Sequence, residues 1–149
     1  MIRLATLGDM HIVFGWRNSP EIIEGSTLQR VVPWEEHEAW FRETVQETKR
    51  LLWIIEPFAG TVRVDRDTRP EGIISIYVLP AFQGRGLGLT SLRDASAEAF
   101  KHWPDLHEIL AFIHTDNERS IRTFGAVGYV SVSDALCPPG HVAMVKYRD

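Results

Sequence analysis

Three glycines at alternate positions, Gly84, Gly86 and Gly88, stand between a stretch that reads as a strand and a stretch that reads as a helix. Residues 72–79 are apolar and partly β-branched, and Pro80 stops them. After the glycines, Leu89, Leu92, Ser96, Ala99 and Trp103 recur at three- and four-residue steps, which predicts an amphipathic helix ended by Pro104. Residues 109–113 are then continuously apolar, as expected of a strand buried on both faces. Strand, glycine turn, helix and strand make a β-α-β unit, so the expected class is α/β with a mixed sheet.

The same turn carries chemistry. Glycines let the backbone approach a ligand closely and adopt positive φ. A helix start adds unpaired N–H groups and the positive end of the helix dipole. Together these suit a pyrophosphate, with Arg85 able to add a charge-assisted contact. A nucleotide-triphosphate loop needs Lys-Ser or Lys-Thr after its last glycine, whereas Gly88 is followed by Leu89-Thr90. The dinucleotide fingerprint is excluded by spacing, because the glycines here are separated by one residue each, and by position, because three predicted strands come first.

Elsewhere the periodicity is mixed. A first helix is expected over residues 6–16, with Thr6 and Asp9 at capping-box spacing, and Asn18-Ser19-Pro20 as a break. A second helix begins near Pro33, with Trp34, His37, Trp40, Phe41 and Thr44 or Val45 as its apolar face. Strands are expected at 51–55, 61–65 and 72–79, with turns at 56–60 and 67–72 between them. A short helix at 117–127 ends near Gly128, and a last strand covers 142–147. Since the chain has 149 residues, one domain spanning 1–149 is expected. Cys137 is the only cysteine, which excludes an internal disulfide and a cysteine-rich metal site, and no metal is expected. The net charge of −4, with no basic block, argues against nucleic acid as a partner. No apolar run is long enough to span a bilayer and the first residues carry no signal-peptide pattern, so a cytoplasmic location is the default expectation.

Gln83-Gly84-Arg85-Gly86-Leu87-Gly88 fits the pattern Gln/Arg-x-x-Gly-x-Gly/Ala, with Pro80 three residues ahead. After the buried strand, the segment from Asn117 to Tyr129 fits Asn-x-x-Ser-x-x-x-Tyr/Phe-x-x-x-Gly-Phe/Tyr, through Asn117, Ser120, Phe124, Gly128 and Tyr129. In this order the two resemble the GNAT N-acetyltransferases, well over residues 51–129 and more loosely before them. The resemblance implies a splayed mixed β-sheet flanked by helices, with acyl-CoA lying in the cleft where the strands at 72–79 and 109–113 part. It implies acetyl-CoA as co-substrate. The backbone of Val78 and Leu79 would pair with the pantetheine arm, and an N–H near Val78 would polarise the thioester carbonyl. Backbone amides of Gln83, Gly84, Arg85, Gly86, Leu87, Gly88 and Leu89 would hold the pyrophosphate, and Asn117, Ser120 and Phe124 would face the cofactor.

The acid–base groups are open at this point. The family often has a tyrosine, the acid for the departing sulfur, where this chain has Phe124. Either the thiolate leaves unassisted or another donor helps, such as Tyr77, Ser120 or water, or else the chain is an acyl-CoA sensor without turnover. The strand at 72–79 has no carboxylate, and the candidate bases are His37, Asp65, Glu71, Ser75 and His114. Each has an ordinary alternative: packing for His37 and His114, an ion pair with Arg63 for Asp65, and solvation for Glu71. The expected catalytic set is Val78, Asn117, Ser75 and His37.

For the acceptor, Trp16-Arg17-Asn18-Ser19-Pro20-Glu21 resembles a segment of several GNAT branches, and Trp34-Glu35-Glu36-His37-Glu38-Ala39-Trp40-Phe41 resembles a second. Together they suggest amino-sugar N-acetyltransferases, with a nucleotide-linked amino sugar as the small-molecule amine. The first also occurs in the ribosomal-protein N-terminal acetyltransferases, so a peptide amine is the alternative. Trp34, Trp40 and Phe41 can equally be core residues. A homodimer covering an exposed strand edge is also expected as an option.

Overall fold

The computed structural model describes residues 1–26, 29–46, 49–66 and 69–149. A seven-stranded sheet runs through it in the order β1-β2-β3-β4-β5-β7-β6. The strands are β1 (Ile2–Leu4), β2 (Arg50–Ile55), β3 (Gly60–Asp65), β4 (Gly72–Val78), β5 (Glu108–His114), β6 (Val130–Val132) and β7 (His141–Tyr147). The helices are α1 (Met10–Arg17), α2 (Pro20–Gly25), α3 (Trp34–Gln46), α4 (Leu87–His102) and α5 (Glu118–Val127). Strands β1 to β4 form an antiparallel meander, and β4 meets β5 in parallel after the α4 crossover. This is the mixed α/β sheet expected from the β-α-β unit.

Two apolar clusters hold the helices on opposite sheet faces. β2 is buried along nearly its whole length and feeds both. Leu51, Trp53 and Ile55 join the cluster with Leu92, Ala95 and Ala99 of α4, while Leu52 and Ile54 meet Met10, Val13 and Phe41 of α1 and α3. The strand period of two gives this division directly. On β3 and β4 the same alternation sends Val62, Val64, Ile74, Ile76 and Val78 to the α4 side. It leaves Thr61, Arg63, Ser75 and Tyr77 on the face shared with α1 and α3.

The structure adds three elements and shifts one. β1 is only three residues long and sits at the sheet edge, and α2 is six residues long. Pro20, read as a break, instead occupies the first turn of α2, where its missing N–H costs nothing. β6 is also three residues and lies outside β7. The first helix does not run over residues 6–16. Leu7–Asp9 form a 3-10 turn, and α1 starts at Met10. The expected capping carboxylate is present, since Asp9 Oδ2 accepts the Thr6 N–H at 2.9 Å. The same carboxylate accepts both outer nitrogens of Arg3 at 2.9 Å, so Arg3 ties the edge strand to α1 and holds the Asp9 carboxyl below the usual carboxylate range. The turn expected at 67–72 includes residues 67 and 68, which lie outside the described residues. No helix among the described residues is long and apolar enough to cross a membrane.

Candidate active site

β4 and β5 are in register for only two residue pairs, Gly72 with Ile109 and Ile73 with Leu110, and then part. In the antiparallel ladder with β3, successive residues point their N–H and C=O to alternate sides. The Leu79 N–H donates to Ala59 O at 2.7 Å on the β3 side. Ile76 and Val78 therefore turn their backbone groups the other way, into the opening. A cleft of about 570 Å³ fills this opening, lined along its length by residues of α1, α2, β3, β4, the glycine turn, β5 and α5.

At one end lies the glycine turn. Pro80–Phe82 form a 3-10 turn, and α4 starts at Leu87. Gly86, at φ 78°, stands at the N-cap of α4, and a Cβ there would meet no atom within 4 Å. A left-handed residue at that point turns the first N–H groups of α4 towards the cleft without a side chain in front of them. Gln83 braces the turn. Its Nε2 donates to Val78 O at 2.9 Å, and Arg119 Nη1 of α5 donates to its Oε1 at 3.3 Å. Gln83, Gly84, Gly86, Leu87, Gly88 and Leu89 all line the cleft. Arg85 does not, and its guanidinium instead stacks 5.3 Å from the Phe82 ring centroid.

The facing wall is the start of α5. Asn117 Oδ1 accepts the Ser120 N–H at 3.1 Å, so Asn117 is the helix cap, and both residues also border the cleft. Phe124 sits at the cleft floor with 3% of its surface exposed, edge-on to Tyr129 at 5.0 Å. The Tyr129 hydroxyl shares a 2.8 Å hydrogen bond with Ser96 Oγ, and burial raises its pKa strongly. That phenol is committed to the core and gives nothing to the cleft.

The expected placement of Leu79 needs correction. Its N–H is bonded to Ala59 O on the β3 side and its carbonyl accepts the Phe82 N–H at 2.9 Å, so the Leu79 N–H does not face an arm lying in the cleft. The ladder leaves the backbone groups of Ile76 and the Val78 N–H facing the opening.

The other end of the cleft is built from residues that alternate away from α4. Ser75 is exposed there, beside Thr61, Arg63 and Tyr77. Trp40 of α3 stands over them, with the Arg17 guanidinium 4.4 Å and the Arg63 guanidinium 5.2 Å from its ring centroid. Arg63 Nε also donates to Asp65 Oδ2 at 2.8 Å. The Tyr77 hydroxyl oxygen is buried and makes no hydrogen bond of ordinary geometry among the described residues, with Thr61 opposite it on β3. Burial pushes its pKa up to about 12, so the phenol keeps its proton.

His37 is not on the cleft wall. It is fully buried between α3 and α1, with the Arg17 Nη1–H donating to its Nδ1 at 3.2 Å and its Nε2 2.7 Å from Met10 O. Arginine can only donate, so Nδ1 accepts and Nε2 carries the proton. Burial lowers the His37 pKa, with Arg17 adding to it. This neutral ring has no free nitrogen for a substrate, which removes it as a base and makes it a support for Arg17. Asp65 is paired with Arg63, and Glu71 accepts from Arg69 at 3.0 and 3.1 Å, so neither candidate base borders the cleft. His114 does border it, with its ring 4.0 Å from that of His141 and its Nε2 buried without a partner.

Sequence reasoning placed the glycine turn, Asn117 and Ser120 together, and the structure brings them together. Arg17 and Trp40 fall in the two segments expected on the acceptor side, but Arg63, which completes their layer, was not among the expected site residues. The signal was available in part, since Arg63 is on the polar phase of an alternating strand. That both arginines converge on one indole requires the tertiary structure. Asn18, in the same segment as Arg17, is structural: its side chain bonds both the carbonyl and the N–H of Val32, at 2.9 and 2.7 Å.

Comparisons with known proteins agree with this geometry. Residues 1–130 match the family model of the acetyltransferase (GNAT) domain. No curated protein sequence matches the chain. Among solved structures, a domain from Methanocaldococcus jannaschii superposes with a TM-score of 0.81 at 22% identity, over 99% of this chain and 97% of that one. An aminoglycoside acetyltransferase in complex with coenzyme A and kanamycin superposes with a TM-score of 0.79 at 19% identity, over 99% and 94%. A spermidine N-acetyltransferase from Vibrio cholerae, in complex with CoA and spermine, gives 0.78 at 15% identity, over 97% and 92%. With the family model spanning most of its length and its fold shared by these structures, the chain belongs to the GNAT family of acetyltransferases.

Proposed function

We propose that the chain transfers an acetyl group from acetyl-CoA directly to a primary amine of a small molecule, an amino sugar linked to a nucleotide being the acceptor class that fits best. The observation that carries this is the parting of β4 and β5 after Ile73, which opens one continuous cleft from the Gly86 turn to Trp40. The residues present fit acetyl-CoA. The open space in front of Gly86 and the first N–H groups of α4 suit its pyrophosphate. The inward backbone groups of Ile76 and Val78 suit the amide-bearing arm and, at its end, the thioester oxygen. Structural neighbours hold CoA, which supports the same reading.

Acetyl-CoA supplies the activated acetyl group: the amine nitrogen bonds to the thioester carbon, the carbon–sulfur bond breaks, and CoA leaves as the thiolate. The chain supplies position, polarisation and a proton route. Ser75 and His114 are the polar side chains on the cleft through which an ammonium proton passes to water. Phe124 has no proton to give, but a thiol pKa of about 8.5 lets the sulfur depart near neutral pH without one. The flat indole of Trp40 suits the apolar face of a sugar ring.

The test is free-thiol release from acetyl-CoA with a panel of nucleotide-linked amino sugars, simple amines and peptides with free N-termini. Steady release with an amino sugar is the expected result. Release with peptides alone would move the chain to the N-terminal acetyltransferases. Acetyl-CoA binding with no release from any acceptor would leave a sensor and overturn the proposal.

A further inference from the structure

The acceptor end of the cleft is unusually short of negative charge. Arg17, Arg30 and Arg63 all line it, while among the described residues the only carboxylate on the lining is the exposed Glu21. Two of the three arginines are already neutralised. Arg30 forms a two-pronged pair with Glu36 at 2.6 and 2.8 Å, and Arg63 is held by Asp65 at 2.8 Å. Arg17 is different. Among the described residues it makes no ion pair, and its contacts are the neutral His37 nitrogen and the face of Trp40. Burial and the nearby Arg63 disfavour its charge and outweigh the attraction of Glu36, which is itself paired with Arg30, yet guanidinium does not lose its proton in proteins. A half-buried cation without a counter-ion is costly unless something supplies the missing negative charge.

A second residue beside it is Tyr77, which lines the same part of the cleft near Arg17. Its buried hydroxyl has Thr61 beside it but makes no hydrogen bond of ordinary geometry among the described residues. A phenol that keeps its proton can donate it to an anionic oxygen that reaches it. Arg17 is also held in place rather than swinging: His37 fixes one Nη from behind, and the His37 ring is anchored on Met10 O. The remaining N–H groups of a guanidinium form a planar fork that matches two oxygens of one anion.

We propose that the acceptor carries an anionic oxygen group, a carboxylate or a phosphate ester, which binds the Arg17 fork and the Tyr77 hydroxyl while the amine points towards the thioester. This rests on the acetyltransferase reading for the identity of the amine site, and it separates this chain from family members built for polycations. An acceptor with several ammonium groups would bring like charge against Arg17 and find one exposed glutamate in compensation.

Matched pairs of ligands test it. Binding is measured by calorimetry with CoA present at saturation, so that the pyrophosphate site is occupied. One pair is glucosamine 6-phosphate against glucosamine, and the other is lysine against lysinamide, with spermidine as the cationic control. A charge-assisted contact predicts that the anionic member of at least one pair binds about ten- to a hundredfold more tightly. The phosphate pair and the carboxylate pair tell the two sources apart. Arg17→Met should reduce the preference to within about threefold, Arg17→Lys should keep only part of it because it loses the fork, and Tyr77→Phe should reduce it less than Arg17→Met. Cooperative thermal unfolding of each variant shows that it is folded. Equal binding of both members in both pairs, tighter binding of spermidine, or a preference that survives Arg17→Met would each overturn the proposal. Thiol release recorded on the same samples addresses the acetyltransferase reading by itself: anion preference without release refutes catalysis alone, and release without anion preference refutes only the Arg17 assignment.

Discussion

Replacing Gly60 by alanine should damage the sheet where the active site is built. Gly60 begins β3, lies opposite Val78 in the register, and has φ 147°. A Cβ there would stand 2.1 Å from Tyr77 O, 3.0 Å from Tyr77 C and 3.1 Å from Val78 Cα. All three are backbone atoms, so no side chain can rotate to make room. Two costs add. The positive-φ conformation costs an alanine about 1–2 kcal/mol, and forcing an atom into a filled site costs about 1–3 kcal/mol. Together they predict a loss of about 2–5 kcal/mol. The clash can be relieved only by moving β4 away from β3, which displaces Tyr77 and Val78, both of which line the cleft. Chemical unfolding followed by tryptophan fluorescence measures the stability loss, and titration with acetyl-CoA measures the displacement. Gly15→Ala is the control. It sits in α1 at ordinary helical φ with nothing within 4 Å of a Cβ, so alanine there should stabilise by about 0.5–1 kcal/mol. If Gly60→Ala loses less than about 1 kcal/mol with an unchanged denaturant slope, the close approach of β3 to Tyr77 is not a constraint and the argument fails.

Gly86→Ala meets open space instead, so it should cost only the left-handed strain of about 1–2 kcal/mol, while its methyl projects where a pyrophosphate would lie. Acetyl-CoA affinity by calorimetry should fall at least about tenfold, and an unchanged affinity would place the cofactor elsewhere. Phe124→Tyr should change the turnover rate less than about tenfold, below the usual worth of a general acid, because the sulfur can leave unassisted; a hundredfold gain would show that the missing acid limits this enzyme. Arg69 holds Asp134 at 2.9 and 3.1 Å and Glu71 at 3.0 and 3.1 Å, lowering the pKa of both carboxyls. Since the folded values lie below the unfolded ones, the unfolded state takes up protons first, so this stabilisation is complete above about pH 5 and is lost as pH falls through about 4 and below. Unfolding midpoints measured from pH 6 to pH 3 should fall less steeply in Arg69→Met than in the parent chain, and parallel slopes would count against the cluster.

The glycine turn and the Asn117 helix were legible because their chemistry is local. Positive φ, a helix start and a capping side chain are all properties of adjacent residues, and Gly86 and Asn117 carry them in the folded chain as the sequence implies. β1, α2 and β6 were not legible because three to six residues carry too little periodicity to stand out. Each is held by tertiary partners, as β1 is by β2 and by the Arg3 bonds to Asp9. The His37 role failed for a related reason. A histidine on an apolar helix face has the same sequence signature whether its ring nitrogens meet a substrate or, as here, an arginine and a carbonyl of another helix.

The functional consequence of the fold lies in how β4 divides its residues. Ile74, Ile76 and Val78 send side chains to the α4 core, and beyond the last β4–β5 pair Ile76 and Val78 turn backbone groups into the opening. Ser75 and Tyr77 send side chains to the acceptor end and backbone groups to β3. On the acetyl-transfer reading proposed above, one strand thus offers main-chain polarity to one reactant and side-chain polarity to the other, with a spacing set by the pleat. The cofactor half can therefore tolerate wide sequence change, since it asks chiefly for backbone and for glycine at the turn. The acceptor half depends on what the alternate side chains are, and in this chain they are a serine, a phenol and two arginines layered on an indole. On that reading, specificity is set by residues 17, 40, 63, 75 and 77 rather than by the turn that reveals the family.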